Sequence, residues 1–264
     1  DAELIALAVK ALQLAGIEEF QIDIGQVDFF RGLMEQSGLT QLEAEEIREL
    51  IDTKDFVGVE QLVNRHTIPS DLKELILNLP RYFGSRELIE ELEKKNVSGK
   101  ALQALEYLRK VLEILGDWGL DQYVSLDLGM VQSMNYYTGV VFRGFTYGVG
   151  FPVLSGGRYD NLLQRFGKDC PATGFSLGVN MILMALERQK KLPESPGGGT
   201  LILYSSSGRK KAYAIFNELR EKGLIAELDI SGMDAEKAEE YAKARGMKRV
   251  IFAQSDFSIQ QTDL

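Results

Sequence analysis

Apolar residues recur at Leu4, Ile5, Ala8, Val9, Ala11 and Leu12 with the spacing of one helix face, and Gly16 is placed to stop that helix. The period then drops to two. Phe20, Ile22 and Ile24 alternate with Gln21 and Asp23, which predicts a half-buried strand ending at Gly25, before helical spacing returns from Val27 to Glu35. Thr40 and Glu43 have the spacing at which a hydroxyl and a carboxylate each satisfy an exposed backbone N–H, so a helix is predicted to begin near Gln41. From about residue 40 to 96 the chain is polar, acidic and helix-favouring, punctuated by Pro69, Pro80 and Gly84, and reads as an all-helical insertion. Ser98 is placed to cap a long helix whose apolar face is Leu102, Leu105, Leu108, Val111, Leu112 and Leu115, with Gly116 as its stop.

After Asp117 the character changes to strands, predicted at Tyr123–Leu128, Gly139–Phe145 and Val149–Leu154, with Tyr147-Gly148 as a turn between the last two. So short a connection forces antiparallel pairing, because a parallel crossover needs about a dozen residues. Gly178–Glu187 is apolar-faced and helical, suited to pack on that sheet. The stretch 192–199 has linker composition and can bury nothing, which places a domain boundary between residues 1–191 and 200–264. Beyond it, Thr200–Tyr204, Gly208–Lys222, Ile225–Asp229, Asp234–Gly246 and Arg249–Ala253 alternate strand, helix, strand, helix, strand. That order implies a small parallel sheet with right-handed crossovers. The predicted class is α+β: an antiparallel sheet flanked by helices, carrying a helical insertion over about residues 40–96, followed by a small α/β domain.

Composition adds limits to this picture. With 264 residues, the chain is long enough for one large domain or a large and a small one. A formal charge of −9 repels nucleic-acid phosphates from the average surface, and the segment from Thr200 onward balances ten basic against ten acidic residues, so no nucleic-acid partner is expected. One cysteine, Cys170, excludes an internal disulfide, and one histidine, His66, leaves too few soft ligands for a zinc or iron–sulfur site; no metal and no cofactor is expected. No run approaches the ~18 apolar residues of a membrane span, and no secretory leader pattern is present, so a cytoplasmic location without a membrane partner is expected. The helical pattern is already running at Asp1, with no initiator methionine before it, and further residues are expected upstream.

The chemistry concentrates in Asn135-Tyr136-Tyr137-Thr138-Gly139 and Ser155-Gly156-Gly157-Arg158-Tyr159-Asp160, both at predicted strand edges. Glycines at a strand end let a ligand approach the backbone, and tyrosines offer an aromatic wall with hydroxyls, a combination suited to a small planar polar ligand. Taken singly, each motif reads more readily as ordinary buried tyrosines and a glycine turn.

Together they carry a resemblance. The run Leu126-Asp127-Leu128-Gly129-Met130-Val131-Gln132-Ser133-Met134-Asn135-Tyr136-Tyr137-Thr138-Gly139-Val140-Val141-Phe142 resembles the first histidine-specific signature of histidyl-tRNA synthetases, and Gly156-Gly157-Arg158-Tyr159-Asp160 resembles the second. Pro171-Ala172-Thr173-Gly174-Phe175-Ser176-Leu177-Gly178 is similar to the approach to motif 3 of class II synthetases, and the resemblance spans about Asp1 to Gln189. It implies a class II synthetase-like fold and a histidine site formed by Gln132, Tyr136, Tyr137, Thr138, Gly156, Gly157, Arg158, Tyr159 and Gly174. Two of the family's arginines are replaced, one by Gln132, and the one in the Glu-Arg pair of motif 3 by Met181 of Asn180-Met181. A neutral amide or thioether cannot balance a developing phosphoryl charge, a loss of several kcal/mol of transition-state stabilisation, so no catalytic residue is assigned and adenylate formation is expected to be absent.

A synthetase-like fold with a histidine pocket but without the chemistry is similar to the regulatory subunits of ATP phosphoribosyltransferase, and Ile22-Asp23-Ile24-Gly25-Gln26-Val27-Asp28-Phe29-Phe30 also looks more like those subunits than like a synthetase. That resemblance implies a role in the first step of histidine biosynthesis, with the short catalytic subunit of ATP phosphoribosyltransferase as partner. It further implies histidine as effector and a homodimer within a hetero-oligomer. In this family motifs 1 and 2, with much of the dimer interface and the grip on the histidine amino group, precede the region matched by Asp1. The alternatives are a working histidine–tRNA ligase, which the replaced arginines oppose, and a synthetase paralogue serving another partner. Ser205-Ser206-Ser207-Gly208-Arg209 could cradle a phosphate at a helix start, but without a glycine-rich fingerprint it reads as a helix cap. The βαβαβ unit resembles a synthetase anticodon-binding domain in position only, Cys170 reads as inert, and His66 as a surface or capping residue.

Overall fold

The alternation at Phe20–Ile24 becomes strand β1 (Phe20–Gln26), which follows helix α1 (Ala2–Leu14) and runs through the interior of the larger sheet. The computed structural model describes residues 1–131, 137–192, 198–255 and 258–264. By contacts the chain divides into two units, Asp1–Leu192 and Pro193–Leu264. In the first, β1 leads into α2 (Val27–Ser37), α3 (Gln41–Asp52), α4 (Phe56–Asn64) and α5 (Ser70–Asn78), then a short β2 (Phe83–Gly84), α6 (Glu87–Glu93) and the long α7 (Gly99–Asp117). Strands β3 (Val124–Asp127), β4 (Val140–Thr146), β5 (Leu154–Arg158) and β6 (Thr173–Leu177) follow, closed by α8 (Val179–Arg188).

Among the described residues these strands form one sheet in the order β2-β3-β1-β4-β5-β6. All neighbours pair antiparallel except β1 and β3, which are parallel. The exception follows from connectivity: the helices α2 to α7 lie between β1 and β3, a crossover long enough to bring the chain back to the same end of the sheet. Ile22, Ile24, Leu126, Val140, Phe142 and Leu154 point to one face and are buried with the apolar sides of α1 and α7. Helix α2 packs closely on α7: a Cβ placed on Gly32 would collide with the backbone of Ala101.

Local chemistry sets several boundaries. Thr40 Oγ1 accepts from Glu43 N at 3.3 Å while Glu43 Oε2 accepts from Thr40 N at 2.9 Å, the predicted reciprocal cap of α3. Ser98 occupies the cap position of α7, but its hydroxyl makes no capping bond; its N–H is taken by Gln36 Oε1 at 3.3 Å. Gly116 lies within α7, and the chain leaves the helix at Gly119, whose φ of +69° suits glycine. The strand expected at Val149–Leu154 begins only at Leu154, because Pro152 cannot donate to a ladder, and the strand continues through the glycines to Arg158.

The second unit pairs β7 (Thr200–Tyr204) in parallel with both β8 (Ala226–Leu228) and β9 (Arg249–Ser255), with α9 (Arg209–Glu221) and α10 (Ala235–Ala244) as crossovers. An additional edge strand, β10 (Ser258–Asp263), pairs antiparallel with β9. Its sequence, Ser-Ile-Gln-Gln-Thr-Asp, carries too little apolar alternation to announce a strand.

The α2–α7 crossing generates a test. An alanine inside a helix is ordinarily up to ~1 kcal/mol better than glycine, yet Gly32→Ala is expected to destabilise by about 1–3 kcal/mol through overpacking. Thermal denaturation measures the sign, and a Tm equal to or above that of the parent would refute the close contact.

Candidate functional site

Because successive strand residues point to opposite faces, burying Ile22, Ile24, Leu126, Val140, Phe142 and Leu154 on one side sends Asp23, Gly25, Ser125, Asp127, Val141, Arg143, Ser155 and Gly157 to the other. The register aligns these into rows. Gly25, Val141, Gly157 and Gly174 lie opposite one another on β1, β4, β5 and β6, and Ser125, Asp23, Arg143, Ser155 and Ser176 form the adjacent polar row.

Gly157 makes room for a ring: a Cβ there would stand 2.7 Å from Tyr137 Cε1 and 2.7 Å from the carbonyl oxygen of Val140. Gly174, its partner on β6, does the same for a second ring, since its Cβ would stand 2.7 Å from the Tyr159 hydroxyl. The two tyrosines meet edge to face, with ring centroids 6.4 Å apart at 62°. Met130, Tyr137 and Val141 form a small buried cluster against which Val27 and Tyr159 pack. Tyr137, Gly157, Tyr159 and Gly174 therefore converge on one bay over the sheet.

The other predicted residues that the structure describes support the bay from behind instead of lining it. Gly156 faces the core, where a Cβ would strike Phe175 and the carbonyl of Gly174 and lie 2.7 Å from Phe142 Cζ. Arg158 also points away from the tyrosines: its Nε donates to Asp1 Oδ2 at 3.0 Å, and its Nη1 to Asp160 Oδ1 at 3.0 Å. The Asp1 side chain is only 1% exposed and also accepts from the Tyr107 hydroxyl at 2.7 Å, so this latch is buried at the acid end. Thr138 fastens strand ends, its N–H donating to Arg158 O at 2.8 Å and its hydroxyl accepting from Asp160 N at 2.9 Å. Gln132 and Tyr136 lie outside the described residues.

Sequence reasoning missed the polar row. Asp23 accepts from the Ser125 hydroxyl at 2.5 Å, and burial pushes its carboxyl above the usual carboxylate range despite that bond. Asp127 is raised as well, first by burial and further by the charge of Asp23; the Gly129 N–H at 2.9 Å and the Arg143 guanidinium work in the opposite direction. Perturbed carboxylates gathered on one sheet face are a recurrent mark of binding sites. The signal available was the strict alternation of Phe20–Ile24, which already put Asp23 on the face opposite the core.

Motif 3 carries no cation here. Met181, in the first turn of α8, is partly buried, and a Cβ placed on Gly178 would stand 3.2 Å from its Cγ. The Ser205–Arg209 turn is used structurally, with Ser205 Oγ accepting from Gly208 N at 3.2 Å and Ser207 Oγ donating to Gln254 O at 2.9 Å. Among the described residues no group of His, Cys, Asp and Glu side chains is arranged to hold a metal ion, and no helix is long and apolar enough to cross a membrane.

A family model described as Histidyl-tRNA synthetase matches residues 1–182. The chain is 54% identical over 260 residues to a protein of Acetivibrio thermocellus named "ATP phosphoribosyltransferase regulatory subunit", covering 98% of this chain and 62% of that one. A protein of the same name from Ruminiclostridium cellulolyticum is 44% identical over 264 residues, with coverage of 100% and 63%. The chain thus spans about three fifths of the length of these curated relatives. Among solved structures, an ATP phosphoribosyltransferase regulatory subunit/histidyl-tRNA synthetase from Bacillus halodurans matches with a TM-score of 0.75 at 32% identity, over 97% of this chain and 64% of that one. A Nostoc histidyl-tRNA synthetase, at 18% identity and a TM-score of 0.70 over 100% and 68%, shares the fold.

The raised carboxyls give a pH prediction. A carboxyl whose folded pKa lies above its unfolded value, about 3.9 for aspartate, holds more protons when folded, so its contribution is most favourable below the unfolded pKa and is lost as pH rises through the folded one. Asp23→Asn keeps an acceptor for the Ser125 hydroxyl and removes the charge. It is therefore expected to raise Tm at pH 7, with the gain shrinking toward pH 4; a gain independent of pH would contradict the burial account.

Proposed function

Because the chain belongs to the histidyl-tRNA synthetase family, we propose that it works as a non-catalytic regulatory subunit of ATP phosphoribosyltransferase in the first step of histidine biosynthesis. In this reading it binds the short catalytic subunit and carries histidine feedback to it. The observation that carries the reading is the majority identity, along nearly the whole chain, to a protein bearing that subunit's name. Met181 supports it: a thioether packed beside Gly178 cannot steady a phosphoryl group as a guanidinium does.

Histidine suits the bay between the tyrosines. In this reading histidine lies against Tyr137 and Tyr159, whose rings Gly157 and Gly174 seat close on the sheet by carrying no side chain. Gln132 and Tyr136 belong to the proposed contact set through the family resemblance. Thr138, Gly156 and Arg158 act in this reading as the frame that holds the tyrosines rather than as ligands' direct partners. Asp23 and Asp127, with Arg143 across from Asp23, make the same sheet face polar and charged beside the tyrosines. Feedback is then a coupling free energy: histidine binds the inhibited assembly more tightly than the active one, and the catalytic partner's state changes histidine affinity by the same factor. The proposed setting is a homodimer inside a cytoplasmic hetero-oligomer, with no nucleic acid, metal or other cofactor.

Calorimetry with histidine, in the presence and absence of the short catalytic subunit, together with that subunit's rate, tests the reading. Histidine is expected to bind and to lower the rate. Gly157→Ala should weaken histidine binding by tenfold or more, roughly 1.4 kcal/mol, and Tyr159→Phe should weaken it without disturbing the sheet beneath. No binding to the parent chain in the assembly, with an unaltered rate, would sink the feedback role. Histidine-dependent pyrophosphate exchange would instead support a tRNA ligase.

A further inference from the structure

The first turn of α2 is stitched to the segment that carries Tyr137 at two points. Val27 N–H donates to Gly139 O at 3.1 Å, and Arg31 Nη2 donates to Tyr137 O at 3.1 Å, joining residues 106 positions apart. The other arm of the same guanidinium, Nη1, pairs with Asp28 Oδ1 at 3.2 Å on its own helix. Asp28 is fixed in turn, because its N–H donates at 3.0 Å to Oε1 of Gln26, a side chain in a residue only 8% exposed. A planar fork with donors on both arms can hold a carbonyl and a carboxylate at once, which a lysine cannot do.

Helix α2 is itself a stiff reference. Gly32 seats it against Ala101 of α7 with no room for a methyl group, and the Val27 side chain packs into the Met130–Tyr137–Val141 cluster. On its outer side lies a cavity of about 750 Å³, lined among others by Val27, Arg31, Met34, Val131 and Tyr137 and, across it, by α3 through Leu42. That open volume leaves the Tyr137 main chain space to shift once the bond from Arg31 is gone.

We propose that Arg31 is the positioning residue for Tyr137: by gripping its carbonyl, Arg31 sets the ring against Gly157 and ties occupancy of the bay to α2. Helix α2 contacts α5 and α7, so a displacement of Tyr137 by a ligand is passed to the helical layer. Any inhibitory signal leaving the bay has a route through this one side chain. The coupling part of the inference rests on the histidine reading above; the positioning part does not.

The experiment uses the full chain with three variants and two readouts, histidine affinity by calorimetry and amide hydrogen exchange at residues 138–140. Arg31→Met is expected to weaken histidine binding by about fivefold to tenfold, the equivalent of one charge-assisted hydrogen bond, and to speed exchange at 138–140. Arg31→Lys, which keeps the cation but loses the planar fork, should recover only part of the affinity. Asp28→Asn removes the charge but keeps an oxygen for the Arg31 Nη1 donor, and should lose clearly less than Arg31→Met. The proposal is overturned if Arg31→Met matches the parent, or if Asp28→Asn loses as much as Arg31→Met, which would assign the effect to the helix. If the parent itself fails to bind histidine, the functional reading falls, and exchange at 138–140 alone decides: unchanged exchange in Arg31→Met overturns the positioning role.

Discussion

The bay depends on one constraint: the β5 backbone must be approached by an aromatic ring where a side chain would ordinarily stand. Gly157 meets it for Tyr137, and Gly174, its register partner on β6, meets it for the Tyr159 hydroxyl. Two missing side chains on neighbouring strands let both tyrosines settle onto the sheet, so the height of each ring is set by main chain. Main chain in a paired sheet has no rotamers to lose, so a ligand entering there pays little ordering entropy, the condition under which a small site binds well. A side chain at either position would move a tyrosine, not merely crowd a ligand.

The same glycine pair serves the opposite face. One residue earlier, Gly156 lets Phe142 and Phe175 close over the strand toward the helices, and one residue later Arg158 reaches Asp1 at the start of α1. Pleat alternation assigns these tasks with no freedom left over, because a slip of one residue would put the arginine in the bay and the ring in the core. Asp160 completes the fastening by accepting from both Arg158 and the Ala172 N–H at 3.1 Å, and Thr138 holds the two strand ends together. The bay is therefore rigid along the β4–β5–β6 side and is referenced, through Arg31, to a helix on the other.

Much of this was readable before any coordinates. The long periodic elements α1, α7, β1, β4 and the alternating C-terminal unit have single-period patterns that only one structure satisfies. Strand β6 is legible only as a motif, since Thr-Gly-Phe-Ser-Leu has small residues where alternation would need bulk; of these, Gly174 admits the Tyr159 hydroxyl. Strand β10 is polar because it is an edge with little to bury. The tyrosines and glycines of the bay were legible as motifs, but the division of labour between Gly156 and Gly157, and the turning away of Arg158, required the register. Asp23 and Asp127 stood in plain sight within strand patterns. Nothing in sequence spacing says that β1 and β3 lie side by side, because that adjacency is created by the helical crossover between them.

In the proposed reading, loss of synthetase chemistry and survival of the bay are physically separable. A group that acts only on a developing phosphoryl charge contributes nothing to holding the amino acid in its ground state, so its replacement leaves ground-state contacts intact. Met181 sits in the first turn of α8, whereas the bay is made by β4, β5, β6 and the Tyr137 segment. The carboxyls of Asp23 and Asp127 point the same way. Their burial costs stability when they are charged and alone, and a ligand bringing positive charge to that face would offset the cost on arrival. Arg143, across from Asp23 on β4, already balances part of that charge, so what a ligand adds there is a second, exchangeable partner for the two carboxyls.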